Sequence, residues 1–339
     1  MTKPLPSKRA TLIQCTLDAL PADFRGGAVV IGNFDGVHRG HQALLARTIA
    51  DARALGAPAL VLTFEPNPRT FFRPDEPVFR LTPPAVRARL LGALGLDGLV
   101  VTPFDGALAA LSPAEFIDTV LVARLGARTV TVGEDFRFGA RRAGSTADLM
   151  AAGRLQGFAV DVVAPVSDGD GERFSSSAIR KALADGDIDL ANRWLGYRWF
   201  VQARVIPGEQ RGRELGFPTA NLSLGEDCRL RHGIYAVTLE AADGISRPAV
   251  ASYGRRPQFD NGAPLLEVNV LDFSGDLYGQ EVVVAFHGWI RPEMRFPGVD
   301  DLVARMAVDV AESRAILSAA GPGTALDQAL AALPGPPRL

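Results

Sequence analysis

Cysteine is scarce: the 339 residues hold two, Cys15 and Cys228. They stand far apart and match no metal-ligand spacing, which argues against a disulfide scaffold or a thiolate zinc site. Two reduced thiols in a cytoplasmic protein is the plain reading. No apolar run approaches the roughly 18 residues of a membrane span, so no membrane partner is expected. The basic start, Met1 to Arg9, has no apolar stretch behind it, and no secretory signal is expected. Aromatic residues make up only 7% and the net charge is −2, with no basic stripe. Both argue against a nucleic-acid partner. Two phosphate-binding signatures are missing as well. The absence of G-x-x-x-x-G-K-[ST] excludes a P-loop kinase, and the absence of G-x-G-x-x-G after the first strand weakens a dinucleotide-dependent oxidoreductase.

What is present is a chain long enough for about two domains, 47% hydrophobic and 22% charged, the balance of a globular protein with real cores. The first half alternates two patterns. Apolar, β-branched runs at 29–31, 60–64, 99–102, 129–132 and 160–163 read as strands. Helical periods fall between them, at about 42–55, 84–95, 113–125 and 145–157. Ser112-Pro113-Ala114-Glu115 is a strong helix start, with a capping serine and proline at the first helical position. Alternation of this kind predicts a parallel sheet with helices on both faces, its site beyond the carboxyl ends of the strands. After about Leu195 short strand-like runs take over, at 198–206, 233–240, 249–253, 265–273 and 281–289. They predict an antiparallel barrel, followed by a helix from Val299 to Ala319. The expected fold class is thus α/β plus all-β. Its domains are expected at 10–190 and 191–320, with 321–339 a loose tail.

Two of the four histidines sit in one turn directly after the first strand. It reads Gly32-Asn33-Phe34-Asp35-Gly36-Val37-His38-Arg39-Gly40-His41. A helix start offers free N–H groups and a dipole to an anion. The dipole contributes only about 0.3–1 kcal/mol, whereas one side-chain donor aimed at charge growing on phosphorus contributes about 2.7–4 kcal/mol. His38 and His41 are therefore the candidate catalytic donors; a histidine helix cap is the alternative. Gly133-Glu134-Asp135-Phe136-Arg137-Phe138-Gly139 follows the fourth of these strands. Arg173-Phe174-Ser175-Ser176-Ser177-Ala178-Ile179-Arg180 follows the fifth and opens a helix. Its hydroxyls, with Arg173 and Arg180, suit a polyphosphate.

These strings, with Thr63-Phe64-Glu65-Pro66-Asn67-Pro68-Arg69, resemble the adenylyltransferase half of bacterial bifunctional riboflavin kinase/FMN adenylyltransferases. The resemblance implies a Rossmann-like nucleotidylyltransferase fold that transfers AMP from ATP to FMN, releasing pyrophosphate and FAD. It implies nucleotide binding by Gly32, Asn33, Phe34, Asp35, Gly36, Asp135, Arg173, Ser176, Ser177 and Arg180. The family usually has His in place of Asn67 and Thr in place of Ser177.

In the second half, Gly212-Arg213-Glu214-Leu215-Gly216-Phe217-Pro218-Thr219-Ala220-Asn221-Leu222 is the most specific string. Thr219 and Asn221 are two apart, so in an extended segment both face one way. Their oxygens can complete a Mg²⁺ shell shared with ATP phosphates and water. Glu267, inside the strand-like run 264–273, is the candidate base for an attacking hydroxyl; a solvent-facing strand carboxylate is the alternative. This half resembles the riboflavin kinase domain of the same family, also through Gly233–Val237, 265–273, Asp276–Gly279 and Arg291–Phe296. The resemblance implies a small Greek-key barrel that moves the γ-phosphate of ATP to riboflavin. Glu267 would be the base, Thr219 and Asn221 the Mg²⁺ ligands, and Arg213, Gly216, Phe217, Pro218 and Arg295 would lie along the ATP and flavin loops. The family favours Asn near Tyr253 and Thr at Gln258. Small-molecule partners follow (riboflavin, FMN and ATP), with a monomer or weak homo-oligomer expected. Two other readings stand beside this one: a chain retaining only one activity, and a non-catalytic flavin-binding regulator.

Overall fold

The computed structural model describes residues 12–207, 219–255 and 264–333. The chain packs as two units, 1–78 with 87–175 and 79–86 with 176–339.

The first unit is built on six strands: β1 (Ile13–Cys15), β2 (Ala28–Ile31), β3 (Ala59–Glu65), β4 (Gly98–Pro103), β5 (Thr129–Gly133) and β6 (Ala159–Val163). All pair in parallel in the order β1-β4-β3-β2-β5-β6. β2 is buried at all four residues, as expected of a strand covered on both faces. The helices are α1 (Arg39–Leu55), α2 (Pro68–Phe72), α3 (Pro84–Leu94, in this unit from Arg87), α4 (Gly106–Ala110), α5 (Pro113–Phe116) and α6 (Thr146–Gln156). α5 carries the expected capping box, Ser112 with Glu115, and runs on as a π-helix over Ile117–Arg124. α1 buries Leu45, Thr48, Ile49 and Ala52 and stops at Gly56, whose φ of 59° suits a residue without Cβ. The core takes in Phe24, Val29, Leu60, Leu62, Val100, Leu121 and Val130. Strand order reverses between β2 and β5, and ligands of open α/β sheets bind at such a switch point.

In the second unit, α7 (Ser176–Asp185) and α8 (Ile188–Leu195) precede six strands: β7 (Phe200–Arg204), β8 (Thr219–Ser223), β9 (Gly233–Glu240), β10 (Ser246–Gly254), β11 (Leu265–Val270) and β12 (Glu281–Arg291). Their order is β7-β12-β9-β10-β11-β8, every pair antiparallel. A bridge between Ile206 and Asn221 joins the two outer ends and nearly closes the barrel. α9 (Val299–Ala319) packs on it. Its buried positions are polar: Asp309, bonded by both ends of Arg291 at 2.8 and 2.6 Å, and Ser313, donating to Ala249 O at 3.0 Å. Leu302, Val303, Met306, Val310, Ile316 and Leu317 of that helix are only half-buried, and Val299 and Val308 are exposed.

By packing, α7 and α8 group with the barrel. Asn192 donates to Phe286 O (3.0 Å) and accepts from Trp199 N–H (2.8 Å), and Arg231 N–H donates to Leu183 O (3.0 Å). Within the expected loose tail lies α10 (Ala325–Ala331). A Thr324–Asp327 capping box starts it and Leu326 and Leu330 bury it; residues 334–339 lie outside the described residues.

Candidate active sites

The turn after β2 has unusual backbone. Phe34 and Val37 take φ of 51° and 39° and Gly36 takes 83°, a region costly for a β-branched residue. Burial holds them there: Val37 is fully buried and Phe34 nearly so. Gln42 Nε2 donates to Val37 O at 2.8 Å, and Arg87 Nη1 donates to Asn33 O at 3.1 Å. His38 then caps α1, its Nδ1 accepting the His41 N–H at 3.3 Å. The two imidazoles stack, centroids 3.7 Å apart and planes 21° off parallel, with the edge of Phe34 against His41 at 5.2 Å. His38 is therefore a helix cap and a member of the site at once. The His41 Nδ1 is buried and has no protein partner.

Burial, then the charge of Arg173, lowers the His38 pKa to about 4. Burial, then His38, holds His41 well below the usual range. Both are neutral at pH 7. Since His38 Nδ1 accepts a bond, its proton sits on Nε2, which is left as a donor. Gly40 leaves room for this ring: a Cβ there would come within 3.1 Å of the His38 Cε1 and Nδ1 atoms. Arg173 pairs with Asp135 at 2.8 Å. Asp135 follows β5, so Gly32–His41, Asp135 and Arg173 are brought together in one unit at the switch point. Ser176, Ser177 and Arg180 lie on α7 and are counted with the second unit; Arg180 Nε donates to Phe79 O at 2.6 Å there.

Beside this turn is a cavity of about 810 Å³, lined by Gly32, Asn33 and Asp135 with Phe64, Phe72, Phe104, Phe116, Phe136 and Phe138. Arg69, Arg73, Arg137, Arg141 and Arg142 also line it. Sequence reasoning missed this cavity, since its six rings come from distant segments. Asn67 also lines it, and its Oδ1 accepts from Arg69 N–H at 2.9 Å to cap α2, which carries Phe72 and Arg73. At this position Asn thus does a helix-capping task that needs no titratable group.

In the barrel, antiparallel register sets Asn221 directly opposite Glu267 and Thr219 opposite Asn269. Side chains directly opposite share a face, so Thr219, Asn221, Glu267 and Asn269 project from one side of the wall. Ala220, Leu222, Leu266 and Val268 fill the other and are buried. Thr219 and Asn221 present neutral hard-oxygen donors, the kind that suits Mg²⁺. Among the described residues no group of three His, Cys, Asp or Glu could hold a metal. A cation there would draw its other ligands from phosphate and water. A second cavity, about 330 Å³, is lined by Val205, Thr219, Ala220, Val268 and Phe273 to Tyr278. Of the expected kinase residues it touches Thr219 and not Glu267. Arg295 is exposed after β12. Arg213, Gly216, Phe217, Pro218 and Gln258 lie outside the described residues.

Among the described residues no helix is long and apolar enough to cross a membrane. The family model described as FAD synthetase matches residues 20–178, and that described as riboflavin kinase matches 195–317. A bifunctional riboflavin kinase/FMN adenylyltransferase of Pseudomonas fluorescens is 44% identical over 301 residues, 88% of this chain and 96% of that one. Its counterpart in Escherichia coli K12 is 39% identical over 289 residues, 85% and 92% of the two chains. A crystal structure from Streptococcus pneumoniae, described as a macrolide-efflux protein, aligns with a TM-score of 0.79 at 31% identity. It covers 90% of this chain and 99% of that chain. Two folds matched in order by two family models, and relatives 39–44% identical over most of the chain, lead to one conclusion: the chain belongs to the bifunctional riboflavin kinase/FMN adenylyltransferases, enzymes that make FMN from riboflavin and FAD from FMN.

Proposed function

We propose the following residue-level division of labour. In the first unit, an FMN phosphate oxygen attacks the α-phosphorus of ATP, the bond from that phosphorus to the bridging oxygen breaks, and pyrophosphate leaves. Neutral His38 and His41 donate hydrogen bonds to the transferring group. Donors held in place before the reaction avoid a reorganisation cost, and loss of one slows such steps about 10²–10³-fold. The aromatic cavity takes the flavin ring system, and the arginines at its edge take phosphate charge.

In the barrel, Glu267 accepts the proton of the riboflavin 5′-hydroxyl as that oxygen attacks the γ-phosphorus, and ADP leaves. Thr219 and Asn221 would hold Mg²⁺, which when bound neutralises phosphate charge. The cavity beyond Thr219 takes the nucleoside end of ATP. Both reactions run in the cytoplasm, in a monomer or weak homo-oligomer.

The observation that carries this reading is the register that sets Glu267 opposite Asn221. Its test is a pair of variants assayed first with riboflavin and then with FMN. Glu267→Gln should abolish FMN formation and spare adenylylation; His38→Ala with His41→Ala should do the reverse. Loss of both activities in either variant would refute two independent sites.

A further inference from the structure

Beside Glu267 stands a second carboxylate that none of these roles employs. Glu293 follows β12, and its side chain lies on Gly254, where an added Cβ would overlap the carboxylate. Gly254 is two residues beyond Ser252, and Ser252 pairs directly with Glu267. Residues two apart on a strand point the same way. The space left by the missing side chain of Gly254 is therefore on the Glu267 face, and the Glu293 carboxylate occupies it. Burial pushes the Glu293 carboxyl up, His232 draws it down, and Glu267 pushes it up again.

The Glu293 seat is built at both ends. Behind it, Arg291 grips Asp309 with two bonds of 2.8 and 2.6 Å and donates a third, from Nη1, to Pro292 O at 2.9 Å. In front, His232 Nδ1 lies 3.8 Å from Glu293 Oε2, and the His232 ring meets Tyr253 edge-on at 5.4 Å. The Glu293 side chain keeps 45% of its surface open, and that of His232 41%. A half-exposed pair at this distance contributes little to stability. Fold stability alone gives no reason to spare a glycine for it.

We infer that Glu293 is a binding residue of the kinase site, accepting hydrogen bonds from the hydroxyls of the acceptor's polyol chain while Glu267 receives the terminal one. This rests on the reading of Glu267 as the base. Two neighbouring carboxylates repel the phosphates of ATP, so this pocket edge suits the neutral substrate. A chain whose end hydroxyl meets Glu267 carries further hydroxyls one and two carbons away, within reach of the adjoining acid. Each is a donor, and ionised carboxylates only accept.

The test is steady-state kinetics of the full chain with Glu293→Ala and the shape-preserving Glu293→Gln. The probes are riboflavin as substrate and lumiflavin, a flavin without a polyol chain, as competitive inhibitor. Glu293→Ala should raise the riboflavin KM about tenfold or more, the size expected when bonds to a charged acceptor are lost. Glu293→Gln should raise it less. Both should leave kcat within about threefold and the ATP KM and lumiflavin inhibition constant within about twofold. An unchanged urea midpoint of tryptophan fluorescence, whose three tryptophans all belong to the unit that carries Glu293, reports that the barrel of each variant is folded. An equal rise for riboflavin and lumiflavin, a fall in kcat alone, or no change in the folded Gln variant would overturn the inference. Glu267→Gln, run in parallel, separates the readings. Retained turnover would refute Glu267 as base, while the contrast between the two flavins still decides Glu293.

Discussion

The ion pair under the Glu293 segment gives a demanding prediction. Asp309 is 3% exposed and Arg291 8%. Replacing Asp309 by Ala leaves the Arg291 guanidinium buried without its counter-charge, a change that costs about 3–5 kcal/mol. Arg305 also bonds Asp309, at 3.0 Å, but its side chain is 27% exposed, and a screened pair adds at most about 1 kcal/mol. Against a typical domain stability of about 5–15 kcal/mol, the loss is large. All three tryptophans, Trp194, Trp199 and Trp289, belong to the second unit. Tryptophan fluorescence in a urea titration therefore follows that unit, with stability taken from the linear dependence on denaturant. The double variant Arg291→Met with Asp309→Leu should recover most of the loss, since apolar replacements of a buried pair are close to neutral. A loss under about 1 kcal/mol for Asp309→Ala would refute the reasoning by showing that water reaches the guanidinium.

Three further outcomes are expected. A Cβ at Gly98 would overlap Phe24 and approach Leu60 within 2.7 Å, so Gly98→Ala should cost about 1–3 kcal/mol by overpacking, read as lower thermal stability of the first unit by calorimetry. Thr324→Ala removes the cap of α10 and should cost about 1 kcal/mol, visible as faster hydrogen exchange over 325–331. Burial, with Arg173 next, lowers His38 to about 4, and burial, with Arg198 next, lowers His287 to about 4. The unfolded chain takes up these protons below about 6.5 while the folded one refuses them. Stability should thus be complete above about 6.5 and fall as pH drops towards 4. Urea midpoints that hold steady from pH 7 to pH 4.5 in wild type would sink this account.

Much of the fold could be read from residues because the parallel strands of the first unit are apolar runs bounded by helical periods. The elements that escaped have weak local signals. β1 is three residues at a sheet edge, two of them exposed. β8 begins straight after a Gly- and Pro-rich string and alternates Thr, Asn and Ser with only two apolar residues, Ala220 and Leu222. α8 reads as a domain joint and α10 as tail, since each spans only about two turns between Gly-rich stretches. In the sites, residue types were legible and pairings were not. Thr219, Asn221 and Glu267 could be named from their strings, but only register places Asn221 across from Glu267. Glu293 sits in a segment the sequence singles out, yet nothing in its spelling reveals that the acid rests on a glycine of another strand.

The ladder between β8 and β11 also limits how this chain can evolve. Because facing alternates with every residue, adding or deleting one amino acid between Thr219 and Glu267 without disturbing the loops must happen outside the paired stretches. Within β8, such an indel would turn the Thr219 and Asn221 oxygens into the apolar interior and bring Ala220 and Leu222 to the Glu267 face. Length variation among homologues should therefore collect ahead of Thr219 and between β8 and β11, leaving the five residues of β8 constant in number even where their identities drift.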